Sequence, residues 1–329
     1  MKSILGIGNA LTDILAVLPD DSLLKKYHLP LGSMQHVDMT TGDLIWKDLR
    51  KIGIQYVAGG SAANTIAGTA IFGMPSGFIG KVGDDELGHL FKSDQEQYGI
   101  KSTLLKGSCS SGRAMVFITG ANAERTFAVY LGSALELVSE DLTPEMFQGY
   151  DYFHIEGYLV QNQALCRRAI ELAHEAGCII SIDMASYNVV ESNILHEMVD
   201  KYIDIVFANE TESKTFTHME PEAALEEMSK HCKIAVVKLG KQGSLVRSGD
   251  EWYRIPAWPG EAIDATGAGD TYAAGFLYAH SLGMPLKVCG EVGSIISAKV
   301  VEIIGTKIDI PRWKAAKQEI RELLENCSR

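Results

Sequence analysis

Short runs of consecutive apolar residues alternate along this chain with longer stretches whose apolar positions recur every three or four residues. The short runs fall at residues 4–7, 152–155, 179–182, 205–207 and 234–237. Runs apolar on both sides of the backbone predict strands buried on both faces, as in a mostly parallel sheet covered by helices. Among the longer stretches, Leu165, Ala169, Leu172 and Ala176 mark one helical stripe, and Cys289, Val292, Ile296, Val300 and Ile303 mark another. The alternation predicts an α/β fold with a three-layer α/β/α core. Two regions, about 11–40 and 108–133, interrupt it with β-like pieces such as 113–119 and 126–130 that lack intervening helices. We read these regions as a small β lid over the sheet. No repeat, low-complexity tract or Pro/Gly/Ser-rich linker divides the chain, so residues 1–329 are expected to form a single domain carrying that lid.

Composition narrows the partners. Apolar residues make up 46% of the chain and charged residues 22%, enough apolar surface for a packed core. The net charge of -12 repels phosphate backbones and anionic lipid, which argues against nucleic acid and membrane as partners. An anion-binding site in such a chain has to gather positive potential locally, from helix N-termini, backbone N–H groups and a few Lys or Arg residues. Six scattered cysteines form no CxxC pair, and the N-terminal apolar run breaks at glycine without the long core of a secretion signal. A reduced, cytoplasmic setting is the expectation.

Four stretches carry candidate chemistry. In Asp264-Ala-Thr266-Gly267-Ala268-Gly269-Asp270, small residues precede a helix and leave backbone N–H groups at its positive end, with Asp270 in the first turn. Phosphoryl transfer needs such donors for the charge on the moving group, and a carboxylate to take the proton of the attacking hydroxyl. A tight turn with an N-terminal helix acid explains the same letters. In Gly59-Gly60-Ser61-Ala-Ala-Asn64, paired glycines ahead of a helix allow close approach of a polyol, or simply close helix–sheet packing. Asn209-Glu-Thr-Glu212 ends a strand and begins a helix, where its oxygens would hold Mg²⁺ or merely cap the helix. Lys238-Leu-Gly240-Lys-Gln-Gly243 is a strand end and glycine turn that would flank a nucleotide or close a hairpin.

In this order, and over nearly the whole chain, these stretches resemble the PfkB family of carbohydrate kinases, and within it the adenosine-kinase-like branch. The pattern Asp264-x-x-Gly-Ala-Gly-Asp270 and the pattern Gly59-Gly60-x-x-x-Asn64 match the two family signatures. Gly8-Asn9-Ala-Leu-Thr-Asp13, Asn209-Glu-Thr-Glu212 and Glu124-Arg125-Thr look like adenosine kinases. The resemblance implies a ribokinase-like fold and transfer of the γ-phosphate of ATP to a hydroxyl of a sugar or nucleoside. It makes Asp270 the base, Gly267, Ala268 and Gly269 the anion hole, and Arg125 a lid residue that swings toward the phosphates. It places Asp13, Gly59, Gly60, Ser61 and Asn64 around the acceptor. Lys238, Gly240, Gly243, Asp264, Thr266 and Gly305 would border ATP, with Asn209 and Glu212 organising Mg²⁺. A monovalent cation, K⁺, is implied as well. An exposed lid strand would offer the edge for a homodimer.

The chain departs from the pattern at Gly157-Tyr158-Leu159, where adenosine kinases carry a Gly-Phe-Phe-like run, and at Ser61, where ribokinases and fructokinases carry Lys and Ala. A dinucleotide-dependent oxidoreductase is disfavoured because Leu11 occupies the third glycine position of the fingerprint that Gly6-Ile-Gly8 would begin. No GxxxxGK[ST] loop occurs. A non-catalytic sugar- or nucleoside-binding sensor of the same fold is the other reading, against which the retention of Asp270 argues.

Overall fold

The computed structural model describes residues 1–120 and 124–327. Its strands are β1 Ile4–Ile7, β2 Leu11–Val17, β3 Met34–His36, β4 Gln55–Gly59, β5 Ser76–Val82, β6 Lys101–Lys106, β7 Gly112–Thr119, β8 Glu124–Tyr130, β9 Tyr152–Glu156, β10 Ile179–Asp183, β11 Ile205–Asn209, β12 Ile234–Lys238, β13 Ser244–Ser248 and β14 Glu251–Ile255. Its helices are α1 Ser22–Lys26, α2 Met39–Leu49, α3 Ser61–Ile71, α4 Glu86–Gln97, α5 Gln163–Glu175, α6 Tyr187–Val190, α7 Asn193–Lys201, α8 Glu210–Thr217, α9 Pro221–Met228, α10 Ala268–Ser281, α11 Leu286–Val300 and α12 Ile310–Cys327.

The larger sheet runs β14-β13-β12-β11-β10-β9-β1-β5-β6. Neighbours from β12 to β6 are parallel, and only β13 and β14 turn back. The inner strands, such as β1, β9 and β10, are buried on both faces because helices cover both, giving the expected α/β/α layers, while the edge strands β6 and β14 are partly exposed. One apolar layer gathers Leu165, Ala169 and Leu195 of α5 and α7, the other Phe276, Val292 and Ile296 of α10 and α11. Both helical stripes stop sooner than their spacing predicts. Gly177 turns the chain left-handed (φ 78°) just past Ala176, the C-cap of α5. Ile303 lies beyond α11, where the Val301 carbonyl accepts the amides of Ile263 and Asp264 at 2.7 and 3.0 Å.

The smaller sheet runs β3-β8-β7-β2-β4. Alternate residues along its strands face opposite ways, so Ile14, Met115 and Phe117 pack on Ile45 of α2 while Leu15, Val116 and Ile118 face the other side. Its strand β4 falls outside both stretches that the sequence marks, and α1 and the start of α2 fall inside the first of them. Residues 121–123, between β7 and β8, lie outside the described residues. The chain passes from the larger sheet to the smaller one through Gly8-Asn9-Ala10 and back through Gly60, then crosses again through 107–111 and returns through 131–151. No helix among the described residues is long and apolar enough to cross a membrane.

Candidate active site

In an open parallel sheet the natural crevice lies at the carboxyl ends of the strands, where the strand order reverses. Here the ends of β1, β9, β10, β11 and β12 supply Asn9, Glu156, Asp183, Asn209 and Lys238 to one cavity of about 700 Å³. Of the helices that begin at it, α3 and α10 pack so closely that a β-carbon on Gly68 would lie 2.6 Å from that of Ala274. Small residues along both helices therefore set the distance between their first turns. Ser61 Oγ donates to Asp270 Oδ1 at 2.8 Å, and Asn64 Nδ2 donates to Oδ2 at 2.9 Å. Thr65 Oγ1 adds a bond to the Asp270 carbonyl at 3.1 Å. The carboxylate stands half-buried in the cavity wall, held on both oxygens.

Ahead of it, the loop at the start of α10 is only partly free. The Ala268 amide donates to the Ala265 carbonyl at 3.2 Å, which corrects the expectation of three outward N–H groups. Among the described residues no carbonyl accepts from the amides of Gly267 or Gly269, and both residues line the cavity. The anion hole expected from sequence thus reduces to these two donors.

The other expected positions divide. Asp13, Gly60, Ser61 and Asn64 line the cavity, whereas Gly59 stands behind it, its missing side chain making room for the Asp13 carboxylate. Lys238 and Thr266 line it too, but Gly240, Gly243, Gly305 and Asp264 do not. The stretch after Lys238 is the hairpin turn from β12 into β13. Asp264 is 7% exposed, and its oxygens accept the amides of Thr266 and Gly305 at 3.0 and 2.8 Å. Arg125 of β8 completes that knot by pairing with Asp264 and donating to Thr266 Oγ1 at 2.9 Å. Both residues therefore tie loops together, and neither faces the cavity.

Sequence reasoning missed Glu156 and Asp183, and it named Asn9 and Tyr158 within motifs without giving them a role. Glu156 Oε1 accepts from the Asn9 amide and Nδ2 at 2.9 and 2.6 Å, and Oε2 accepts from the Ala62 amide at 3.0 Å. It clamps the end of β1 to the start of α3. The available signal was a carboxylate at the end of an apolar, buried strand, which Glu156 and Asp183 share.

Crowding carboxylates out of water makes them hold protons. Burial, then the charge of Asp183, pushes Asp270 up to about 6. Burial, then Asp270, pushes Asp13 up to about 7. Glu156 rises to about 7 because burial outweighs its three N–H donors. Burial and then Asp183 also raise Glu212. A half-buried carboxylate titrating near neutrality, next to two free amides and an ammonium, can take a proton beside a bound anion.

Asn209 and Glu212 form a closed capping box: Asn209 Oδ1 accepts the Glu212 amide at 2.9 Å, and Glu212 accepts the Asn209 amide and Nδ2, each at 2.7 Å. Both line the cavity, and their remaining lone pairs suit a hydrated Mg²⁺ met through water. No ready-made cluster of three metal-binding side chains occurs among the described residues.

Residues 36–313 match the model of the pfkB family carbohydrate kinases. The chain belongs to the pfkB family. This pfkB kinase is 30% identical over 260 residues to a nucleoside kinase of Methanothermobacter thermautotrophicus, covering 77% of this chain and 81% of that one. Its fold is similar to that of an adenosine kinase from Sinorhizobium meliloti, with a TM-score of 0.86, 33% identity and coverage of 97% and 99%. It is equally similar to a probable sugar kinase from Rhizobium etli, with a TM-score of 0.87, 30% identity and coverage of 97% and 98%. As a pfkB kinase the chain is a phosphotransferase with an alcohol acceptor, of the sugar and nucleoside kinase class.

Proposed function

We propose that this kinase transfers the γ-phosphate of ATP to a hydroxyl of a nucleoside, with Asp270 as the general base. The observation that carries the reading is the Asp270 carboxylate, fixed by Ser61 and Asn64 in the wall of the cavity beside the free amides of Gly267 and Gly269. The acceptor oxygen attacks the γ-phosphorus, the bond to the β-phosphate oxygen breaks, and the hydroxyl proton passes to Asp270. The two amides meet the charge that develops on the phosphoryl oxygens. Asn9, Asp13 and Gly60 hold the remaining hydroxyls. Bound Mg²⁺, reached through water by Asn209 and Glu212, would offset the charge of the triphosphate.

The shape of the cavity favours a nucleoside over a bare sugar. Its lining combines polar groups such as Asp13, Asn64 and Asp270 with an apolar portion from Leu131, Leu135, Leu137, Leu159 and Leu165, three of which, Leu137, Leu159 and Leu165, share one apolar cluster. A polyol ring joined to a flat heterocycle fills both, whereas a hexose leaves the apolar portion to water. The smaller sheet acts as the lid, its Val129 and Phe127 reaching the same cavity, and its closure keeps water from the activated phosphate.

ADP release from ATP and Mg²⁺, followed over a panel of nucleosides and sugars, tests the reading. Turnover with nucleosides supports it. Turnover with hexoses alone overturns the acceptor, and binding across the panel without turnover makes the chain a sensor.

A further inference from the structure

One ion pair on the carboxyl edge of the larger sheet has no part in the chemistry above. Lys238 Nζ lies 2.6 Å from Asp183 Oδ2, with the two side chains 14% and 5% exposed. Burying two charges is a poor way to join strands, because each loses its water, and β10, β11 and β12 are already joined by regular parallel pairing. Both residues line the cavity. The ammonium also packs on the first turn of α10: a β-carbon on Gly269 would lie 2.8 Å from Lys238 Nζ and 3.8 Å from Asp183 Oδ2. Only a residue without a side chain lets the charge come so close to the free amides. The carboxylate is fixed in turn, since Asp183 Oδ1 accepts the amide of Ala185 at 3.0 Å while Ala185 sits at φ 62°, a conformation alanine adopts at a cost.

We propose that Lys238 is a further catalytic residue of the transfer step and Asp183 its positioning residue. The carboxylate holds the ammonium against Gly269, at the same helix start as the two free amides, where it meets the oxygens of the travelling phosphoryl group. This deepens, and rests on, the reading of Asp270 as the proton acceptor. The arrangement has a second consequence. Charged and titratable groups surround Asp270 from every side: Asp13 of β2, Glu156 at the end of β9, Tyr158 after it, Asp183 of β10, Glu212 of α8 and Lys238 of β12. Of the two members of the ion pair, Asp183 makes Asp270 hold its proton and Lys238 makes it let go.

The test compares Lys238→Met, Lys238→Arg, Asp183→Asn and the Met/Asn double variant, with ATP and Mg²⁺ saturating and the preferred acceptor varied across pH. Lys238→Met is expected to lose about 10²–10³-fold in kcat, as loss of one preorganised donor does, with the acceptor KM little changed. Lys238→Arg recovers part of that loss. The acid limb of kcat/KM moves about one pH unit upward in Lys238→Met and about one unit downward in Asp183→Asn, and returns near the wild-type position in the double variant. A purely structural pair would shift the limbs in these opposite directions through its charges alone, so the kcat loss at unchanged KM and its partial recovery in Lys238→Arg are what mark catalysis. Wild-type kcat in Lys238→Met, or limbs moving the same way, overturns the proposal. If Lys238→Met does not fold, the double variant removes both charges and carries the test: wild-type kcat there overturns the proposal too. Failure of the underlying reading is distinct, because it shows as near-wild-type kcat in Asp270→Asn whatever the lysine variants do.

Discussion

Replacing Gly60 by alanine probes the join between the two sheets. Gly60 has φ 98° and ψ 135°, and an added β-carbon would stand 2.4 Å from the Asn9 carbonyl oxygen. The backbone conformation alone costs a residue with a side chain about 1–3 kcal/mol. The overlap is with backbone, which cannot rotate aside, so the Gly8-Asn9-Ala10 segment has to retreat. Retreat stretches the two bonds from Asn9 to Glu156, at 2.9 and 2.6 Å, each of which contributes about 1 kcal/mol. The expected loss is about 3–5 kcal/mol. At roughly 2 °C per kcal/mol for a large domain, Tm falls by about 6–10 °C. Gly73→Ala is the control: Gly73 also has a positive φ, 85°, but nothing lies within 4 Å of its would-be β-carbon, so only the conformational cost applies. Scanning calorimetry of both variants decides the matter. A Gly60→Ala protein that melts no lower than Gly73→Ala refutes the steric reasoning.

Three further outcomes are expected. Asp270→Asn lowers kcat by about 10²–10⁴-fold while calorimetric ATP binding persists, and the wild-type rate falls as pH drops through about 6, because the protonated carboxyl cannot accept the acceptor's proton. Asp13→Asn weakens acceptor binding yet raises Tm. The ordinary value of 3.8 is raised to about 7 in the fold, so the ionised form costs stability as pH climbs between the two, and the gain from removing it is larger above pH 7 than below. Arg125→Ala leaves Asp264 buried and unpaired, which costs about 3–5 kcal/mol, and hydrogen exchange at the Thr266 and Gly305 amides accelerates. Unchanged exchange there would remove the knot from the account.

Local letters foretold what local physics decides. Continuous apolar runs announced the parallel strands, and glycines before an acidic helix start announced where Asp270 would face, since both depend on neighbours in sequence. What stayed hidden depends on partners far along the chain. Arg125 meets Asp264 across 139 positions, so nothing near either residue reveals that the charge expected at the phosphates is spent on a loop. Ala268 looks like a free donor until the turn brings the Ala265 carbonyl under it. Glu156 and Asp183 read as strand ends until the sheet is assembled and five such ends converge. Strand β4 escaped because its five residues, Gln55–Gly59, are partly polar and gain their place by pairing with β2.

Four segments among the described residues cross between the two sheets, and two of them, Gly8-Asn9-Ala10 and Gly60, lie side by side where register pairs Leu11 directly with Gly59. Asn9 and Gly60 also wall the cavity. A guest molecule there rests against a seam rather than a rim: it touches both crossings at once, and a snug occupant stiffens them together.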